Sequence, residues 1–225
     1  MNLSRIFVFT LSGAIVLFVG SGLPAECGNP VSTKIMQLKF VEDLIISKPT
    51  DPGLRVQHAE LLCCLNRFDE AIDESDVVIH MSPKIRDAYV VKARALAGKG
   101  RFKEAVRCLD EAFKLGVPTS KLLLAKGTYL KRDERYAEAV VILSQVIKAE
   151  PRYAEAYMQR AYCYREIYGP TEKSLKDLEM VAKLKPAYPT VKAQIKGLRN
   201  AISKQNANRK QYEISKPAEN LRKPI

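Results

Sequence analysis

The feature that most constrains the fold of this chain is an aromatic-x-Glu-Ala pattern that recurs every 34 residues. The pattern stands at Phe68–Ala71, Phe102–Ala105 and Tyr136–Ala139. The same period joins two further position classes, the small residues Ala59, Ala93, Gly127 and Ala161 and the apolar residues Leu62, Leu96 and Leu130. A repeat of roughly 20–50 residues is typical of chains built from one stacked supersecondary unit. The sequence therefore predicts a repeat array.

Each repeat predicts two amphipathic helices joined by a short polar turn. Turn-forming residues separate the helices at Asn66–Arg67, Gly98–Gly100 and Asp133–Arg135. The recurrent small residues suit places where two helices cross at the usual distance of about 8–10 Å. Prolines near the repeat ends close the second helix, because proline cannot continue it.

These residues resemble the tetratricopeptide repeat family from residue 52 to about residue 186. The resemblance implies an all-α fold, a right-handed superhelical stack of about four helix-turn-helix repeats with N- and C-terminal capping helices. The repeats are predicted at residues 52–85, 86–119, 120–153 and 154–188. The aromatic residue of the family's first helix is matched by Tyr89 and Tyr157 but replaced by Arg55 and Leu123.

Both ends of the array are predicted to be capped. Residues 29–48 form the N-terminal capping helix, with an apolar stripe of Ile35, Leu38, Val41 and Leu44. Residues 189–204 form the C-terminal capping helix, with the stripe Val191, Ile195, Leu198 and Ile202. Residues 205–225 are polar and are predicted to be a disordered basic tail.

Residues 1–25 are typical of a secretory signal peptide. Arg5 gives a positive start, and residues 6–20 are an uncharged apolar run followed by small residues up to Ala25. The run is shorter than the ~20 residues of a membrane-spanning helix. We therefore expect export to a periplasmic or extracellular location, with residues 6–20 acting as an uncleaved membrane anchor as the alternative.

No motif of an enzyme, metal site or cofactor site is present. The chain has five cysteines without zinc-site spacing and two histidines, and it lacks a phosphate-binding loop and a nucleophile motif. His58 and Cys63 stand five residues apart, so they do not share one face of a helix. The expected protein is non-catalytic and needs no cofactor.

The resemblance places the ligand site in a groove lined by the first helix of each repeat. The family's carboxylate clamp, which grips acidic chaperone tails, is matched only by Lys121. The candidate groove residues are Val90, Val91, Arg94, Leu124, Lys131, Met158, Tyr162 and Arg165. An apolar floor flanked by cations suits a partner peptide with apolar and some acidic side chains. The alternative interpretation is that the apolar members are repeat core.

A basic surface is predicted on the C-terminal capping helix at Lys192, Lys196 and Arg199. The chain carries a formal net charge of +12, and no acidic residue stands between Glu179 and Glu213. Such a run suits an acidic protein or an anionic membrane surface, or it is a solvated cap. The lack of interleaved aromatic residues argues against nucleic acid. The predicted function is a protein-binding scaffold, with a membrane-surface module held by an N-terminal helix and the basic helix as the alternative.

Overall fold

The computed structural model describes residues 6–11, 14–19 and 30–215, and the chain divides into two compact units after Gly98. The first unit contains two strands and four helices, namely β1 (Ile6–Leu11), β2 (Ala14–Val19), α1 (Pro30–Ser47), α2 (Pro52–Cys64), α3 (Phe68–Met81) and α4 (Arg86–Gly98). The second unit contains α5 (Phe102–Lys114), α6 (Ser120–Arg132), α7 (Tyr136–Ala149), α8 (Ala154–Tyr168), α9 (Glu172–Leu184) and α10 (Pro189–Ser215). Every described residue range from 30 onward is helical or a helix connection, which confirms the all-α class for the array.

The N-terminal apolar run forms strands where a helix was considered. β1 and β2 pair antiparallel, with Ile6 opposite Val19 and Leu11 opposite Ala14. The run is rich in β-branched and aromatic residues, which favour strands over helices. The helix considered for residues 6–20 is therefore wrong, and the export signal stays a prediction. Among the described residues, no helix is both long enough and apolar enough to span a bilayer.

The first unit is held by apolar residues that the helical period places on facing sides. Leu62, Val78 and Leu96 on α2, α3 and α4 are at most 1% exposed. Val41 of the N-terminal cap is 1% exposed, whereas Ile35 of the predicted stripe is 43% exposed. Only part of that stripe therefore covers the first repeat.

The second unit has two apolar clusters. One lies between α5, α6, α7 and α8 and contains Leu130, Leu143 and Val146. The other joins α8 and α9 to α10 through Leu178, Val181 and Leu198. α10 therefore closes the last repeat, as a capping helix in a repeat array must.

The turn inside each repeat uses one residue with a left-handed backbone. These residues are Asn66 (φ 60°), Gly100 (φ 76°), Glu134 (φ 60°) and Gly169 (φ 71°). Glycine and asparagine adopt this conformation at low cost, while glutamate is strained there. The first three are 34 residues apart and the fourth follows after 35, because one extra residue enters the last turn.

The glutamate of the recurrent pattern pairs with an arginine at the start of each second helix. Arg101 Nε donates to Glu104 Oε1 at 2.7 Å, and Arg135 Nε donates to Glu138 Oε1 at 2.7 Å. Both acids lie in the first helical turn, where a negative charge is favourable. The pattern thus marks a helix start.

Arg55 takes over the contact of the missing aromatic residue. Tyr89 Oη and Tyr157 Oη each donate to the carbonyl oxygen of a proline six residues earlier, at 3.1 Å. Arg55 Nε donates to the carbonyl oxygen of Pro49 at 3.0 Å, which is the equivalent contact in the first repeat. The substitution therefore keeps the tie between the helix and the preceding turn.

α10 extends further than the sequence predicted. It runs to Ser215, so residues 205–215 are helical and their assignment to a disordered tail is wrong. Polarity was taken as a sign of disorder, but Gln, Lys and Arg are good helix formers and no proline occurs before Pro217. Residues 216–225 lie outside the described residues.

Candidate functional site

A row of cross-helix polar pairs fixes which basic side chains are occupied inside the array. Lys92 Nζ pairs with Asp76, and Lys126 Nζ pairs with Asp110, each joining a first helix to the second helix before it. Both pairs repeat with the 34-residue period of the sequence. These cations contribute to packing between helices and are not available to a ligand.

Arg160 continues this row in a more buried form. Its Nε and Nη2 donate to Asp177 Oδ2 and Oδ1 at 2.8 and 2.7 Å, and its Nη1 donates to Ser144 Oγ at 2.9 Å. The guanidinium carbon lies 5.8 Å from the Tyr157 ring centroid and 5.7 Å from that of Tyr164. The hydrogen bonds to Asp177 raise the pKa of Arg160. Arg160 is therefore a structural residue that joins α7, α8 and α9.

The three candidate groove residues of the first unit lie on α4 and differ in exposure. Val91 is 0% exposed, so it belongs to the core and its assignment to the groove surface is wrong. It faces inward because α4 packs against α2 and α3 on that side. Val90 is half-buried, and the Arg94 side chain is 48% exposed, with its Nη2 at 3.9 Å from Glu60 Oε1. Arg94 is thus the accessible cation of this helix.

In the second unit, the structure brings Lys131 of α6 beside Tyr162 of α8. Lys131 Nζ lies 4.9 Å from the Tyr162 ring centroid, within the range of a cation–π contact. It also donates to Gln159 Oε1, and Gln159 Nε2 donates to Glu155 Oε1. Tyr162 remains 43% exposed. A part-buried ammonium and an accessible aromatic ring therefore share one surface, called here the α6–α8 surface (Lys131, Gln159, Tyr162).

Burial shapes the electrostatics of the α6–α8 surface. Burial lowers the pKa of Lys131, and the nearby positive charge of Arg132 lowers it further. In the described part of the chain, no carboxylate forms an ion pair with Lys131, since Glu155 reaches it only through Gln159. A partly desolvated cation without its own carboxylate favours an incoming anion.

The remaining groove candidates flank this surface or support it. Leu124 and Met158 are half-buried and pack against the two apolar clusters of the second unit. Both therefore contribute mainly to the core, as the alternative interpretation predicted. Arg165, one turn after Tyr162 on α8, is exposed.

The predicted basic surface lies on exposed positions of α10. Lys192 and Lys196 are exposed, and Arg199 Nη2 donates to Glu179 Oε1 of α9 at 2.6 Å. The Arg199 side chain is 60% exposed despite this contact.

His58 and the buried cysteines do not build a metal site. The two ring nitrogens of His58 lie 3.5 Å from Glu42 Oε1 and 3.4 Å from Glu74 Oε1. Burial raises the pKa of the Cys63 and Cys163 thiols to about 11 each, so both stay protonated at neutral pH. Among the described residues, no group of three or more His, Cys, Asp or Glu side chains is arranged to hold a metal ion.

Comparison with known proteins identifies relatives of the repeat array. No protein-family model matches the sequence. The chain is similar to Hsp70-Hsp90 organizing protein 3 of Arabidopsis thaliana, at 22% identity over 55% of this chain and 29% of that protein. It is also similar to Hsp70-Hsp90 organizing protein 1 of Glycine max, at 26% identity over 55% of this chain and 28% of that protein. The chain thus matches less than a third of the length of these relatives.

Solved structures share the fold at low sequence identity. YrrB, a TPR protein with an unusual peptide-binding site, has a TM-score of 0.64 at 18% identity, over 72% of this chain and 84% of that chain. MamA from Desulfovibrio magneticus RS-1 has a TM-score of 0.64 at 14% identity, over 70% and 88%. The described helices therefore have the all-α, helix-turn-helix fold of tetratricopeptide repeat proteins, as the 34-residue period predicts.

Proposed function

We propose that this chain is a non-catalytic scaffold that binds a peptide segment of a partner protein on the first helices of its repeats. The observation that carries the proposal is the α6–α8 surface, where Lys131 lies over the exposed ring of Tyr162. Support also comes from the fold, since YrrB is a TPR protein with a peptide-binding site. The relatives in plants are named as organizing proteins.

The chemistry of the α6–α8 surface defines the peptide that would fit it. A carboxylate on the peptide would replace Gln159 as the partner of Lys131, because a charge-assisted hydrogen bond is about twice as strong as a neutral one. An apolar side chain beside that carboxylate would pack on the Tyr162 ring. The proposed ligand is therefore a segment in which an acidic residue stands next to an apolar one.

We further propose that residues 1–25 direct export of the protein. The support is the charged start and short apolar run of the sequence. N-terminal sequencing of the protein isolated from its own cells tests this. A mature chain that begins near Ala25 supports cleavage after export, whereas a chain that retains Met1 and fractionates with membranes supports the anchor.

The binding proposal is tested with peptides selected from a random display library on the full chain. The variant K131A/Y162A removes the proposed site, and we expect at least a tenfold loss of affinity, since anchors at interfaces contribute roughly 2 kcal/mol or more. The matched control is K185A/Y188A, because Lys185 Nζ lies 5.8 Å from the ring of Tyr188, which is 43% exposed, in a similar pair elsewhere.

Both variants are first checked for unchanged helix content and melting. Selected peptides that bind K131A/Y162A as tightly as they bind the unsubstituted chain would refute the site. Equal losses in the two variants would show that any exposed cation–aromatic pair suffices, and would refute it as well.

A further inference from the structure

The C-terminal part of α10 is a helix without packing partners for its side chains. Ile202 is the last residue of α10 that is buried, at 8% exposure, and residues 203–212 are all exposed. The helix nevertheless continues to Ser215. An unpacked helical segment of this length is marginally stable by itself, because most helical stability in proteins comes from packing.

The continued helix extends the basic surface into one long row. Lys192, Lys196, Arg199 and Lys210 are separated by four, three and eleven residues. At about 3.6 residues per turn, these spacings place all four within roughly 60° around the helix axis. The row covers 18 residues, which is about 27 Å along the axis. We call it the α10 row (Lys192, Lys196, Arg199, Lys210).

The α10 row is rich in positive charge that the described chain does not neutralise. No acidic residue stands between Glu179 and Glu213. Within residues 30–215, only Arg199 of the row is paired with a carboxylate, through its bond of 2.6 Å to Glu179. That pair also shows that a side chain of the row binds a carboxylate from a neighbouring helix.

The exposed side of α10 does not suit insertion into a membrane. Binding at a membrane surface requires an apolar helix face that enters the headgroup region. Among the described exposed residues of α10, Tyr212 is the one large apolar side chain, at 63% exposure. The others are Lys, Arg, Gln, Asn and small residues.

From this charge pattern we propose that the α10 row is a second docking surface, which binds an acidic segment of a partner protein. The proposal rests on the proposed protein-binding function, but it uses a helix separate from the α6–α8 surface. Carboxylates along the partner segment pair with the three unpaired lysines. Because these contacts are exposed, they are screened at high salt.

The test uses the full chain and an about 20-residue poly-L-glutamate peptide carrying a fluorophore, with affinity read by anisotropy. The variant K192Q/K196Q/K210Q should bind about tenfold more weakly at about 0.05 M salt, since three exposed ion pairs are lost, and equally weakly at about 0.5 M. The control K84Q/K103Q/K148Q removes the same charge from exposed lysines elsewhere and should lose less than about threefold.

Three results would overturn the proposal. One is an unchanged polyglutamate affinity of the α10 variant, and another is an equal loss in the control variant. The third is a larger effect of the α10 substitutions on binding to duplex DNA or phosphatidylserine vesicles than on binding to polyglutamate. The variant K131A/Y162A should bind polyglutamate like the unsubstituted chain, so failure of the α6–α8 surface is distinguished from failure of the α10 row.

Discussion

Removing the carboxylate of Asp177 should destabilise the second unit strongly. Asp177 is 7% exposed and Arg160 is 17% exposed, and two hydrogen bonds of 2.7–2.8 Å join them. In the D177A variant, the guanidinium stays buried between two tyrosine rings with Ser144 as its remaining polar partner. A buried charge that loses its partner typically costs about 3–5 kcal/mol. Because Arg160 retains some exposure, we expect about 3 kcal/mol.

The pair of Lys126 with Asp110 provides the matched control. It occupies the preceding repeat in the same row, but the Asp110 side chain is 45% exposed. An exposed ion pair contributes about 1 kcal/mol or less, so D110A should cost no more than that. Urea unfolding of the full chain, followed by far-UV circular dichroism, measures both variants under identical conditions. Its midpoints should fall well apart.

A double variant separates the lost charge pair from a general defect in packing. R160M/D177L removes both charges and keeps apolar volume, so it should be more stable than D177A alone. If D177A costs no more than D110A, or if the double variant is the least stable of the three, the reasoning about the buried pair is wrong.

Two further predictions concern close packing and burial. G127A should destabilise the protein by roughly 1 kcal/mol, because the added Cβ would lie 2.8 Å from Cδ2 of the fully buried Leu143, whereas G197A in open space should stabilise it by up to about 1 kcal/mol; thermal melts compare the two. Iodoacetamide at pH 8 should leave Cys63 and Cys163 unlabelled, since burial raises the pKa of each thiol to about 11, while the exposed cysteine after Cys63 reacts. Mass spectrometry reads the labelling, and modification of the buried thiols in the folded protein would contradict their burial.

The repeat architecture was predictable because its signals are local and periodic. The aromatic-x-Glu-Ala pattern predicted helix starts, and α3, α5 and α7 begin at its aromatic residues Phe68, Phe102 and Tyr136. The recurrent small residues Ala59 and Ala93 are fully buried, as close helix crossing requires. Such patterns need no knowledge of distant contacts.

The polar contacts were not predictable, because each depends on two helices meeting in a definite register. Arg160 was noted for its likeness to a clamp sequence, but its partner Asp177 stands on the next helix. Arg55 was noted only as a missing aromatic residue, although it replaces the hydrogen bond of that residue. A signal for such pairs existed in the 34-residue period of Lys92 and Lys126, which the search for functional motifs did not use.

The candidate site was predicted in part. Placing first-helix residues in rows correctly selected the exposed Arg94, Tyr162 and Arg165, but it also selected the buried Val91, since row assignment does not fix the rotation of a helix against its neighbours. The contact of Lys131 with the Tyr162 ring required the structure. Whether the site binds a ligand stays a prediction.

The most direct test of peptide binding on the first helices is site-specific photo-crosslinking to a selected peptide. A photoreactive phenylalanine derivative replaces Tyr162 on α8 or, as the comparison, Val141 on α7, which is 58% exposed. Both positions are accessible, so they differ in which helix of the repeat they report. The account predicts covalent attachment of the peptide at position 162 and little at position 141. Equal attachment at both positions, or attachment at position 141 alone, would contradict it.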